Sequence, residues 1–102
     1  MEVKNLFNAQ KVPFDLEGWS LIKSDKAELV YLKLKPGEYL EKHKNPFDVI
    51  FYILKGEGKL LLENEVKILQ ANDSIFIGSN LDRGWKNDSN EELNLLVFKI
   101  MN

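Results

Sequence analysis

The chain contains one histidine, His43, and one arginine, Arg83, and these two side chains are its strongest candidates for chemistry. An imidazole with an ordinary pKa near ~6.5 can act as an acid, a base or a hydrogen-bond partner. A guanidinium can bind a carboxylate or phosphate with two parallel hydrogen bonds. It can equally pair with a nearby acid, for which Glu41, Asp48 and Asp82 are the candidates. With no cysteine in the chain, thiolate nucleophiles, disulfides and thiolate metal sites are excluded.

The elements that must position these residues are predicted to be strands. Residues 27–35 alternate, with Val30 and Leu32 on one face, which is typical of a half-buried strand. Residues 47–54 are almost all apolar, and this predicts a strand buried on both faces. The same reading predicts further strands over 59–63, 66–69, 74–77 and 93–101, and turns at 55–58 and 72–73. Residues 79–90 have the composition of a loop, so Arg83 and Trp85 are expected on a loop.

Short strands separated by Gly, Asn and Pro indicate an all-β sandwich or barrel, and the length of 102 residues indicates one domain over 1–102. Two of the strands, 47–54 and 93–101, are apolar on both faces in a chain too short to cover both faces itself. We therefore expect a homodimer. Phe51 is expected in the core and Tyr52 at the interface between subunits.

Composition excludes several classes of partner. The net charge is -2 and the lysines are scattered along the chain, so no basic patch predicts nucleic-acid binding. No apolar run approaches the ~20 residues that a membrane helix needs, and the first ten residues are too polar for a signal peptide. The absence of cysteine fits a reducing compartment. We expect a cytoplasmic protein that contacts neither membranes nor nucleic acid.

Two stretches of the sequence have a spacing that resembles a known family. The first is Gly37-x5-His43-x-Asn45-x3-Val49-x6-Gly56, over 37–56, and the second is Asn72-x5-Gly78-x-Asn80-x2-Arg83-x3-Asn87, over 72–87. They resemble the two motifs of the cupin superfamily, G-x5-H-x-H-x3-E-x6-G and G-x5-P-x-G-x2-H-x3-N. The resemblance implies a small single-domain jelly-roll β-barrel of two antiparallel sheets, with a pocket lined by residues of both motifs.

In the family the three histidines and the glutamate of these motifs bind a metal, and the resemblance implies a degenerate site here. His43 matches the first histidine, but Asn45, Val49 and Arg83 stand at the other three ligand positions. Arginine repels a cation and valine has no donor atom, so no metal and no other cofactor is expected. Asp48 neighbours the glutamate position, but strand parity turns it to the opposite face unless a bulge intervenes.

The second motif departs from the family in its backbone residues as well. Asn72 and Asn80 replace glycines and Gly78 replaces a proline. Asparagine tolerates positive φ better than other residues except glycine, so the turns are expected to be kept.

These observations leave three hypotheses for function. The first is a metal-free binding protein for a small anionic organic ligand, with His43, Asn45, Arg83 and Trp85 as its binding residues. The second is an enzyme of the same fold, an isomerase, a lyase or a weakly metal-dependent dioxygenase-like enzyme. There His43 would be a general base or a metal ligand, and Arg83 would hold the substrate. The third is a protein without a ligand, whose barrel is packed shut by Val49, Phe51 and Trp85.

Overall fold

The computed structural model describes residues 1–12 and 16–101, and within them ten strands form and no helix. In chain order they are β1 (Gln10–Lys11), β2 (Glu17–Lys23), β3 (Ala27–Leu34), β4 (Tyr39–His43), β5 (Asp48–Lys55), β6 (Glu57–Leu62), β7 (Val66–Gln70), β8 (Ser74–Ile77), β9 (Arg83–Lys86) and β10 (Leu93–Ile100). In the described part of the chain no helix is long and apolar enough to cross a membrane.

The strands form two antiparallel sheets. The larger sheet has the order β1-β2-β3-β10-β5-β8, and the smaller one has the order β4-β9-β6-β7. Sequential neighbours often lie in different sheets, as in β3 and β4 or β8 and β9, so the chain crosses repeatedly between the two layers. The predicted all-β fold of two antiparallel sheets is confirmed.

The core lies between the sheets because strand alternation turns one apolar face of each sheet inward. In β3 every second residue is buried, ending with Val30, Leu32 and Leu34. The buried apolar side chains come from both layers: Val30, Leu32, Leu34, Val49, Phe51, Ile53, Ile77, Leu93, Leu95 and Val97 from the larger sheet, and Leu60, Leu69 and Trp85 from the smaller. Full burial of a Leu or Val side chain stabilises the fold by roughly 1.5–3 kcal/mol.

The turns of the second motif are kept. Asn72 and Asn80 have φ of 73° and 63°, so both adopt the left-handed conformation that the prediction assigned to them. The amide of Asn80 donates to the carbonyl of Asn45 at 2.8 Å, which joins the two motifs through the backbone. Asn87 is fully buried, and its side-chain amide donates to the carbonyls of Leu34 (2.9 Å) and Glu91 (2.8 Å).

The loop predicted over residues 79–90 is wrong in its middle. Arg83–Lys86 forms β9, which pairs with β4 on one side and β6 on the other, and its first three residues are buried. Hydrophobic periodicity does not detect this strand, because it contains an arginine and a glycine and is flanked by polar residues. Arg83 and Trp85 therefore stand on a central strand rather than on a loop.

Two further predictions need correction. β5 is not buried on both faces within this chain: Val49, Phe51 and Ile53 are buried, but Tyr52 and Leu54 are 36% and 39% exposed. No second layer of the described residues covers its outer face. The turn predicted over 55–58 is shorter, since Gly56, with φ of 85°, alone separates β5 from β6.

Candidate functional site

A cavity of about 270 Å³ lies between the sheets, near the start of β9 and the end of β10. Its wall is mostly apolar, with a few polar groups. The lining residues are Val12, Val30, Leu32, Leu40, His43, Asn45, Phe51, Arg83, Gly84, Trp85, Val97 and Lys99. All four predicted binding residues are among them. Among the described residues, the side chains of Val49, Phe51 and Trp85 therefore leave open space between the sheets.

His43 and Arg83 are brought together by direct pairing of β4 with β9, in which His43 lies opposite Arg83. Leu40 lies opposite Trp85, so four residues of β4 span three of β9 and the register shifts between them. This is a β-bulge, with an extra residue in β4. Without it, strand parity would turn Leu40 and Lys42 inward and His43 outward. The bulge is therefore what places the imidazole on the cavity wall.

Gly84 makes room for the bulge. A Cβ atom added at Gly84 would lie 2.5 Å from the carbonyl oxygen of Leu40 and 2.8 Å from the amide nitrogen of Lys42. Both atoms belong to the backbone of the bulge, which cannot swing aside as a side chain can. Any side chain at position 84 would push β4 away and move His43 with it.

The imidazole of His43 is held by its own strand. Its Nδ1 lies 3.0 Å from the carbonyl oxygen of Glu41, which sits in the bulge. A carbonyl can only accept, so Nδ1 carries the hydrogen and donates it. In the neutral ring Nε2 then keeps its lone pair, free to accept a hydrogen bond or a proton.

Arg83 is a buried cation, with 3% of its surface exposed. It forms no ion pair with Glu41, Asp48 or Asp82, the three acids considered as partners. Asp48 instead accepts from the backbone amide of Ser79 at 2.9 Å. Burial lowers the pKa of Arg83, because desolvation disfavours the charged form, but a guanidinium is not deprotonated in proteins.

The guanidinium of Arg83 makes few contacts for its five N–H groups. Nη1 donates to the carbonyl of Leu81 at 3.4 Å, a long bond, and the group stands 6.0 Å from the ring centre of Phe47. With its amide turned to satisfy both ends, Asn45 accepts from Nη2 of Arg83 and donates to the carbonyl of Lys44 at 3.1 Å. Asn45 thus orients the arginine instead of competing with it.

Trp85 has a polar atom without a partner. The side chain is 1% exposed, and its indole Nε1 has no hydrogen-bond acceptor among the described residues. A Cβ atom at Gly58 would lie 3.1 Å from Cε3 and Cζ3 of the indole, so the ring edge opposite Nε1 packs against β6. The Nε1 edge points away from Gly58. An unpaired buried donor costs about 1–3 kcal/mol, which an acceptor at Nε1 would relieve.

The sequence reading missed Lys99, which also lines the cavity. Its ammonium lies 3.5 Å from a carboxylate oxygen of Glu28, and the hydroxyl of Ser20 donates to the other oxygen at 2.7 Å. Strand parity could have found Lys99, since it shares the inward face of β10 with Leu95 and Val97. The bulge that turns His43 inward has no comparable signal in the sequence.

The residues at the family's metal positions do not fit a transition metal. His43 offers one imidazole nitrogen, and the amide oxygen of Asn45 is engaged by Arg83. Val49 is buried in the core, and Arg83 brings a fixed positive charge to the fourth position. In the described ranges, no three His, Cys, Asp or Glu side chains lie together as a metal site would require.

Comparison with known proteins identifies the family of this fold. The family model described as "Cupin domain" matches residues 30–99. The chain belongs to the cupin family. This cupin gives no significant match to curated proteins.

Several solved structures share the fold of this cupin at low sequence identity. A predicted oxalate decarboxylase from Thermotoga maritima has a TM-score of 0.88 and 23% identity, over 99% of this chain and all of that one. The polyketide cyclase RemF from Streptomyces resistomycificus has 0.85 and 16%, over 100% of this chain and 80% of that one. An RmlC-like cupin family protein from Methanocaldococcus jannaschii, described as a double-stranded β-helix, has 0.85 and 20%, over 99% and 91%. At these identities the likeness concerns the fold alone.

Proposed function

We propose that this cupin is a metal-free binding protein for a small anionic organic ligand. The observation that carries the proposal is the buried guanidinium of Arg83 on the wall of an apolar cavity, without an ion pair to Glu41, Asp48 or Asp82. A buried cation without a counter-charge is costly, and an anion in the cavity would compensate it. Nε2 of His43, directly across the β4–β9 pair, could add a further contact.

Thermal unfolding in the presence of small carboxylates and phosphates tests the proposal. A ligand that binds only the folded chain raises its stability by mass action, by about 2.7 kcal/mol at a concentration of 100 times Kd. Arg83→Gln should abolish that gain. Lys86→Gln is a matched control, because Lys86 lies on the same strand but is exposed, and it should leave the gain intact. A gain that survives Arg83→Gln, or the absence of any gain, would contradict the proposal.

The metal-free part of the proposal rests on the donor set. One imidazole and an amide oxygen already bound to a guanidinium are too few for a transition-metal site. Elemental analysis of the purified protein should find no stoichiometric Mn, Fe, Ni, Cu or Zn. One metal ion per chain that is lost on His43→Ala would refute it.

An enzyme of the same fold is the second candidate, and the fixed tautomer of His43 favours it. With Nδ1 donating to Glu41, Nε2 keeps a lone pair and is a potential general base, on a residue that pairs with the strand of a cation that could hold a substrate carboxylate. Solved cupin-fold structures include proteins named as a polyketide cyclase and a DMSP lyase. Turnover that disappears in His43→Gln while ligand binding persists would favour the enzyme over the binding protein.

We also propose that the chain forms a homodimer in the cytoplasm. The outer face of the larger sheet carries an apolar row in register across five strands: Ile22, Leu29, Phe98, Ile50 and Phe76. No layer of the described chain covers this row. A second copy of the same face would be its natural complement, because a two-fold interface is self-complementary. The lack of cysteine supports a reducing compartment.

A further inference from the structure

The charges on the cavity wall indicate how much negative charge its ligand carries. Arg83 and Lys99 are the two cationic side chains among the lining residues. Lys99 is already paired with Glu28, whose second oxygen is held by Ser20. Among the described residues the positive charge of Arg83 is then left without a carboxylate partner, and an anionic ligand would compensate it. A dianion would bring an excess negative charge into a mostly apolar cavity, which is unfavourable at low dielectric.

The donors that remain free suit the planar oxygens of a carboxylate. Arg83 and Trp85 are two residues apart on β9, so their side chains lie on the same inward face. In the described part of the chain the guanidinium has spare N–H groups in a flat fork, and the indole Nε1 is a buried donor without an acceptor. Both residues line the cavity, so a ligand held there could accept hydrogen bonds from both. A neutral hydroxyl or amide would leave the charge of Arg83 uncompensated.

The rest of the cavity suits an apolar body of limited size. Beyond the polar groups its wall consists of aliphatic and aromatic side chains, Val12, Val30, Leu32, Leu40, Phe51 and Val97. At about 30 Å³ for each water-sized group, a volume of 270 Å³ holds roughly nine of them. A volume of this size accommodates a carboxylate attached either to one phenyl ring or to a medium-length alkyl chain.

We propose that the ligand is an organic monocarboxylate with an apolar body, whose carboxylate binds Arg83 and Nε1 of Trp85 while its body fills the cavity. This inference rests on the proposed function and narrows it. It distinguishes the ligand from phosphate esters and dicarboxylates, which the anion hypothesis alone would admit.

Three probes with the same phenyl body test it. Phenylacetate carries one negative charge at neutral pH, phenylacetamide none, and phenyl phosphate nearly two. By isothermal titration the carboxylate should bind roughly tenfold or more tightly than the amide, because a charge-assisted pair contributes about 1.5–3 kcal/mol. It should also bind more tightly than phenyl phosphate. Acetate lacks the body and should bind more weakly than phenylacetate.

The outcomes separate this inference from the proposed function. Tighter binding of phenyl phosphate than of phenylacetate would overturn the monocarboxylate and leave the anion-binding function standing. Equal binding of the acid and the amide would overturn both, and so would the absence of binding by any anion.

Nuclear magnetic resonance of the wild-type protein gives a test that does not depend on a variant's folding. The chain has two tryptophans, Trp19 and Trp85, hence two indole N–H signals. Phenylacetate should shift the Trp85 signal downfield, as a new hydrogen bond does, and leave that of Trp19 in place. Trp85→Phe identifies the signal. Saturation with phenylacetate without any movement of the Trp85 signal would overturn the role of Nε1.

Discussion

The substitution Gly84→Ala should damage the fold and the candidate site together. The added Cβ would meet the backbone of the β4 bulge at 2.5 Å from the oxygen of Leu40 and 2.8 Å from the nitrogen of Lys42. Overpacking of this kind costs about 1–3 kcal/mol. At the middle of that range, about 2 kcal/mol, a domain of this length should melt roughly 8–16 °C lower. His43 would move with the bulge, so stabilisation by anions should weaken as well.

Thermal and urea unfolding of Gly84→Ala, Gly78→Ala and the wild type would check the reasoning. Gly78 is a matched control, because its added Cβ would meet only Cδ1 of Leu81, at 3.9 Å, and its φ is not positive. Gly78→Ala should change the free energy of unfolding by less than about 0.5 kcal/mol. Equal stability of the two variants would show that the bulge is not held by the space at Gly84. A Gly84→Ala protein that keeps full anion-dependent stabilisation would show that anion binding needs neither the bulge nor the position of His43.

Two further predictions concern the surface. Light scattering should give the mass of a dimer for the wild type and of a monomer for Phe98→Glu. The substitution places a charge in the middle of the outer apolar row. A wild-type monomer at high micromolar concentration would refute the dimer. The second concerns Asp88, whose pKa is lowered mainly by its hydrogen bond from Lys59, at 2.8 Å. A lowered folded-state pKa stabilises the fold above the ordinary value of 3.8, and this stabilisation disappears as the pH falls through the folded-state pKa. Asp88→Asn should therefore be slightly less stable than the wild type in urea at pH 7, and the difference should vanish at strongly acidic pH; a difference independent of pH would refute the assignment.

The sequence predicted most of the larger sheet because its strands alternate or are strongly apolar. β3, β5, β8 and β10 lie within a residue or two of the predicted ranges, and the β6–β7 hairpin was also found. β1, β2 and β4 were not predicted: β1 is two residues long, and β2 and β4 do not alternate clearly between buried and exposed residues. Periodicity alone could not decide between a β-sandwich and a β-barrel, and the spacing of the two motifs identified the cupin jelly-roll barrel.

The candidate site was predicted as a set of residues, and its geometry was not. Spacing placed His43 and Arg83 at corresponding positions of two motifs, but their direct pairing depends on a register that includes an extra residue. Simple alternation along β4, counted from Leu40, would place His43 on the outer face of the sheet, which is wrong. The space that permits the bulge is set by Gly84 on another strand, and such a non-local contact leaves no periodic trace in the sequence.

Arg83 changes what this cavity can do chemically. A metal ion supplies positive charge and also accepts lone pairs, so it can polarise a bound group as a Lewis acid. A guanidinium supplies the charge and donors in a fixed fork but accepts no lone pair. Unlike a metal ion, the guanidinium needs no ligating side chains to hold it in place. Asn45, at one of the family's ligand positions, accepts a hydrogen bond from the guanidinium instead. A cavity arranged in this way can bind an anion, and any catalysis through these groups would depend on His43 as the base, because Arg83 can stabilise charge but cannot take up a proton.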